Sequence, residues 1–223
     1  MIERLPGEGW LVLIGGGEFS FGDTEAVDHE WLERTPDGPI AFVPTASGSV
    51  DYGRHFADYL RDAFEREVEN VPIYRGRDAK RGKNLERLAS AAAVYIGGGI
   101  ADQFLEVFHD SPAAEALQQR FVNGGMVVAI AAAAQTFGRL TRSLRGQDVL
   151  PGLCWLPKTA IETNFDPAHD RRLRQLLESP GVEQGLALSA GSSISFGPDG
   201  AVHVSGSVFT LASADGELQA IDG

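Results

Sequence analysis

Cysteine occurs once in 223 residues, at Cys154. No internal disulfide can form, and nothing in the chain demands an oxidising compartment. Positive charge is also scarce: 19 Lys and Arg stand against 31 Asp and Glu, a formal net charge of -12. A surface of that sign repels phosphate backbones and anionic lipid, which argues against nucleic acid or membrane as the main partner. The one local exception, Arg75, Arg77, Lys80, Arg81 and Lys83, reads as a solvated loop. Long apolar runs are missing too. The Ala-rich stretch from Met126 to Ala134 is far too short to span a bilayer. The first residues, Met-Ile-Glu-Arg-Leu-Pro-Gly-Glu, hold no basic segment followed by an apolar one, so a cytoplasmic location is expected. The five histidines, His29, His55, His109, His169 and His203, are scattered, and none pairs with cysteine or carboxylate at ligand spacing. No metal and no cofactor are expected.

The composition, 43% hydrophobic and 22% charged, is that of an ordinary globular chain. Its length suits one α/β domain covering residues 1–223, without repeat or linker. Apolar runs at Trp10 to Ile14, Pro39 to Pro44, Ala92 to Ile96 and Met126 to Ile130 are apolar throughout, as strands covered on both faces are. A short strand is expected around Val71 to Tyr74. Helical spacing of Tyr52, Phe56, Tyr59, Leu60, Ala63 and Phe64 predicts a helix over Asp51 to Glu67. Others are expected from Ala101 to Phe108, from Ser111-Pro112 through Phe121, from within Ala131 to Gln135, and from Asp170 to Glu178. From Gly185 onward the chain alternates and is rich in Gly and Ser, with turns at Gly197-Pro198-Asp199-Gly200 and Asp215-Gly216. This reads as an antiparallel extension at one edge of a mainly parallel sheet within a three-layer α/β/α architecture.

Three glycine runs follow predicted strands, where open α/β sheets place ligands. Gly15-Gly16-Gly17-Glu18 lacks the dinucleotide fingerprint, and no Gly-Lys-Ser/Thr is present for a triphosphate. Glycine backbone can instead bring N–H groups close to a substrate oxygen. A serine hydrolase places its nucleophile on a sharp strand-to-helix turn flanked by small residues. The strand Met126 to Ile130 supplies that setting, yet the turn reads Ala129-Ile130-Ala131-Ala132-Ala133-Ala134. The string Ser189-Ala190-Gly191 follows Ala187 rather than a glycine and precedes a hairpin, so it is a decoy.

Ile14-Gly-Gly-Gly-Glu18, Val43-Pro-Thr-Ala-Ser47, Ile96-Gly-Gly-Gly99 and Gly124-Gly125 before an apolar strand occur in a telling order. Together with Glu162-Thr163-Asn164-Phe165, the following Arg/Leu helix and Gly185 to Gly191, they resemble the cyanophycinase and peptidase E serine peptidases. The resemblance covers nearly the whole chain and implies a class I glutamine amidotransferase-like fold. It places the family's nucleophile on Ala131, its elbow glycines on Ala129 and Ala133, its histidine on Asn164 and its acidic segment on Ser189 and Ala190. His169 is a second candidate for the histidine position. Backbone N–H groups at Gly99 and Ala132 remain as half of an oxyanion hole.

Alanine cannot attack a carbonyl, asparagine cannot take up a proton near neutral pH, and serine cannot hold an imidazolium. The expected function is therefore a pseudoenzyme that keeps a binding pocket, with Glu18, Gly98, Gly99, Gln103, Ala131, Ala132 and Asn164 as its lining candidates. Its ligand would be a small molecule or short peptide, and a homodimer is left open. The rival is an enzyme of altered chemistry using Glu18, Asp102, Gln103, Glu162 or Cys154. Cys154 has no partner base near it in sequence and reads as a packed thiol. A third reading is a structural oligomer with a vestigial pocket.

Overall fold

The computed structural model describes residues 2–145 and 149–221. Its centre is a parallel array of β1 (Trp10–Ile14), β2 (Ile40–Val43), β3 (Val68–Asn70), β4 (Ala93–Ile96) and β5 (Met126–Ile130). Antiparallel β10 (Ser193–Phe196) and β11 (Val202–Ser205) extend one edge, giving the order β11-β10-β1-β5-β4-β2-β3.

Strand periodicity sorts the core into two layers. Val12, Ile14, Ile40, Phe42, Tyr95, Val128 and Ile130 point to one face. Helices α1 (Glu25–Arg34) and α2 (Val50–Phe64) cover it with Val27, Trp31, Phe56 and Leu60. Leu11, Leu13, Val43, Val94, Ile96 and Val127 point to the other. There α3 (Gly82–Ser90), α4 (Ala101–Phe108) and α5 (Pro112–Val122) contribute Leu88, Phe104, Phe108, Leu117 and Phe121. On the first face the buried Asp28 carboxylate accepts hydrogen bonds from Thr24 Oγ1 (2.7 Å), Trp31 Nε1 (2.8 Å) and Tyr59 (3.0 Å), which ties α1 to α2.

After α6 (Ala132–Gln135) and the hairpin of β6 (Leu140–Arg142) and β7 (Val149–Pro151), a second sheet forms. Its order is β13-β12-β9-β8, from β8 (Thr159–Thr163), β9 (Gln184–Leu188), β12 (Val208–Leu211) and β13 (Gln219–Ala220). Helix α7 (Arg171–Leu177) links β8 to β9 and packs on both.

The α/β/α architecture is as the sequence predicts, and two details differ. The strand expected at Val71 to Tyr74 lies earlier, at β3. Val71 N–H still donates to Phe42 (2.8 Å), but Pro72 has no N–H with which to continue a ladder. The region from Gly185 is not all one edge: β9 runs parallel to β8 in the second sheet, and only β10 and β11 extend the central one. Among the described residues no helix is long and apolar enough to cross a membrane.

Candidate functional site

Parallel register sets the site. Ile130 lies opposite Ile14, and Ala129 opposite Ile96, so β1, β4 and β5 end at one level. The loops that leave them meet at Ala131, Gly15-Gly16 and Gly97-Gly98-Gly99.

Ala131 stands at the turn from β5 into α6 with φ 54° and ψ -126°. An L-residue avoids that region at a cost of about 1–3 kcal/mol, and it persists only where the surroundings impose it. Here they do. Ala131 N–H donates to Ile14 (2.9 Å), and the flanking Ala129 and Ala133 are fully buried. A Cβ built on Gly98 would lie 3.4 Å from the Ala131 Cβ, so the methyl faces the Gly98 loop. Gly99 has φ 150°, and a side chain there would meet the Ala46 carbonyl at 2.2 Å. Among the described residues, none of the N–H groups of Gly98, Gly99 and Ala132 donates to a backbone carbonyl outside regular elements.

Asn164 caps the end of β8 with φ 49°, a left-handed conformation that asparagine tolerates. Its N–H reaches Gly15 (2.6 Å), and its side chain lies on Gly16, where a Cβ would fall 2.1 Å from Oδ1. Gly16 itself has φ 136°. His169 lies farther out, exposed, with Nδ1 2.7 Å from Asp166 Oδ2. Ser189 ends β9, and its hydroxyl donates to the Phe165 carbonyl (2.9 Å). The Ser192 hydroxyl donates to the Ser189 carbonyl (2.6 Å), so both hydroxyls are committed to backbone.

The remaining candidates separate. Glu18 caps the turn Phe19–Phe21, accepting from Ser20 N (3.3 Å) and Ser20 Oγ (3.1 Å). Gln103 Nε2 donates to the Thr45 carbonyl (2.9 Å) and so fixes the loop after β2. Asp102 accepts from Ser143 Oγ (2.5 Å) and Leu144 N (3.0 Å), an anchoring role; those bonds outweigh its burial and hold its carboxyl below the usual range. Cys154 is exposed with φ 57° and lines a separate cavity of about 340 Å³. His109 and Asp110, 2.9 Å apart, line that cavity too, a juxtaposition invisible in a sequence where they lie far from the thiol.

Glu162 and Asn164 share a polar cavity of about 530 Å³ with His169, Arg171 and Arg172. Glu162 is buried, and no described residue hydrogen-bonds its carboxylate. Burial raises its pKa, and Arg142 and Arg172 pull it partly back. Sequence reasoning did not mark Arg172 or Tyr52. Burial and Glu18 push the Tyr52 phenol up to about 12, and the Gly98 backbone offsets part of the rise. Among the described residues no group of three or more His, Cys, Asp or Glu is arranged to hold a metal.

The model of peptidase family S51 matches residues 11–201. Cyanophycinases from Synechococcus elongatus and from Thermosynechococcus vestitus are each 24% identical over 89% of this chain and 66% of their own. The chain thus spans just under two thirds of the length of those relatives. Two crystal structures share the fold. A peptidase from an acI-B1 actinobacterium superposes with a TM-score of 0.76, at 16% identity over 98% of this chain and 99% of its own. A candidate peptidase E protein from Listeria monocytogenes EGD-e gives 0.63, at 17% identity over 88% and 98%.

Proposed function

The chain belongs to peptidase family S51, and from that premise we propose that it is a non-hydrolytic member, one that binds a small molecule or short peptide at the carboxyl edge of its sheet. The observation that carries this reading is Ala131, a methyl group on a turn held at φ 54° and ψ -126°. The backbone keeps the strained shape that presents a nucleophile, and the side chain has no atom able to attack. Asn164 offers an amide where the family resemblance puts an imidazole. The Ser189 hydroxyl is bonded to Phe165 rather than to any base. Binding is supported by the N–H groups of Gly99 and Ala132, which donate to no backbone carbonyl outside regular elements among the described residues, and by the adjoining cavity, where no described residue hydrogen-bonds the Glu162 carboxylate.

The test is a hydrolysis assay of the unmodified protein on aspartyl dipeptides and on cyanophycin, with fluorophosphonate labelling alongside. Neither turnover above background nor labelled serine is expected. Turnover abolished by Cys154→Ala or Glu162→Gln would transfer the function to the altered-chemistry reading. For Cys154, the presence of His109 in the same cavity is the favouring observation. Absence of both turnover and small-ligand binding would leave a structural role.

A further inference from the structure

The strand at the far edge of the central sheet is flanked by opposite charges. β3 ends the order β11-β10-β1-β5-β4-β2-β3 and has no strand on its outer side. The segment that leads into it, 58–69, holds five carboxylates and two arginines, and the segment that follows it, 75–83, holds five cations and one carboxylate. Internal pairing accounts for only part of each set. Arg61 is paired with Asp58 (2.8 Å) and Asp62 (3.1 Å), and Glu69 with Arg87. Glu65 and Glu67 are exposed and form no ion pair with a described residue. In the basic segment the one carboxylate, Asp78, is buried. It accepts from Tyr74 N (3.2 Å) and Arg75 N (3.1 Å) and lies 3.2 Å from Arg81. Arg75, Lys80 and Lys83 are exposed, and no described residue forms an ion pair with them.

We propose that this edge is where two copies of the chain meet, about a two-fold axis that sets their β3 strands antiparallel. Turned that way, Glu65 and Glu67 of one protomer face Arg75, Lys80 and Lys83 of its partner, and the symmetry makes the same contact twice. An isologous contact needs a surface that complements itself, and an edge acidic at its start and basic at its end does so. An unrelated acidic partner would neutralise the cations alone, whereas a second copy also neutralises Glu65 and Glu67. With a formal net charge of -12, two copies repel one another across most of their surfaces, and the basic segment is a place where an acidic copy is attracted instead. The contact is carried by side chains rather than by a continued ladder. β3 is three residues long, and Arg87 already donates to the Asn70 carbonyl (3.2 Å), which guards the backbone at this edge. The interface is independent of the cleft and stands whether or not the cleft cleaves.

The experiment is sedimentation velocity of the full chain over a range of concentrations, in wild type and in two charge-reversed variants. Wild type should pass from monomer to dimer as concentration rises. Lys80→Glu with Lys83→Glu should weaken the dimer by about tenfold or more, because like charges then meet, and Glu65→Lys with Glu67→Lys should do the same. Mixed in equal amounts, the two variants should form a heterodimer, since both contacts again join opposite charges. The reversals suit their local structure: Lys83 lies in the first turn of α3, and Glu65 follows the last turn of α2. Circular dichroism checks each fold. If a reversed variant does not fold, Lys80→Gln with Lys83→Gln decides, and it should weaken the dimer by a smaller factor. A wild type that stays monomeric at about 0.1 mM overturns the proposal. So does a dimer indifferent to these substitutions, or a pair of reversed variants that remain monomeric when mixed.

Discussion

The two banks of the cleft are both made of strand ends, but they carry different things. On the β5 bank the backbone holds the information: φ 54° at Ala131, φ 150° at Gly99, and N–H groups without partners outside regular elements. Its side chains are methyls and hydrogens. On the β8 bank the backbone is ordinary up to Asn164 and the side chains hold the information: Glu162, Asn164, Arg171 and Arg172 around one cavity. A backbone shape is enforced by many neighbours at once, so it outlasts any one side chain. Chemistry that rests on single side chains is lost one substitution at a time. The proposed non-hydrolytic reading rests on that difference: the first kind of feature is present at Ala131 and Gly99, and the side chains at Ala131 and Asn164 are a methyl group and an amide.

Reinstalling chemistry on the intact backbone gives the largest expected contrast. Ala131→Ser alone should stay inactive, because a hydroxyl without a base remains protonated. Ala131→Ser with Asn164→His should give a trace at most, about a thousandfold or more below a member with its triad intact, since the acid is still missing. A continuous assay on an aspartyl dipeptide measures both. Full recovery in the single variant would show that a base is already present and that the β8 bank carries more chemistry than its residues suggest.

Next in size is the rigidity of the β5 bank. Gly99→Ala puts a Cβ 2.2 Å from the Ala46 carbonyl at φ 150°, so backbone must move on both sides. A loss of about 3 kcal/mol or more is expected, measured by denaturant unfolding. Ala131→Gly tests the same bank in the opposite direction. Glycine adopts φ 54° without strain, and the relief outweighs its greater chain entropy. Stability should rise by about 1 kcal/mol, and Tm by about 2–4 °C for a chain of this size. A fall in Tm would mean that the turn is not strained.

Much of this was legible in sequence because it is local. The apolar runs of β1, β4 and β5 and the glycines after them specify strands that end in tight loops. Small residues from Ala129 to Ala134 mark a tight turn after β5. What escaped is tertiary. Apolar runs announce a strand but not its neighbour, so β9 could not be separated from β10 before pairing was seen. Helix α1 buries Val27, Trp31 and Leu32 among charged residues, a stripe too diluted to stand out. Tyr52 fits the apolar phase of α2, and only folding shows its ring packed beside Gly97 in the loop after β4. His109 and Cys154 share a cavity through folding alone.

The smallest effect concerns the charge on the β8 bank. Burial raises the Glu162 pKa above its ordinary value, with Arg142 and Arg172 offsetting part of the rise. The folded state therefore holds this proton more tightly than the unfolded chain does. Its contribution to stability is fully present below the unfolded pKa and is lost as pH rises through the folded one. Above that window the ionised carboxylate is a net burden on the fold. Glu162→Gln removes the ionisation and keeps the shape, so the variant should be the more stable protein at neutral pH. The difference should shrink and close as pH falls toward and below the ordinary glutamate range. Paired thermal melts across that range measure it. If the gap instead widens on acidification, the carboxylate is stabilised by its arginines more than it is penalised by burial, and Glu162 belongs to a satisfied ion-pair network rather than to an open binding cavity.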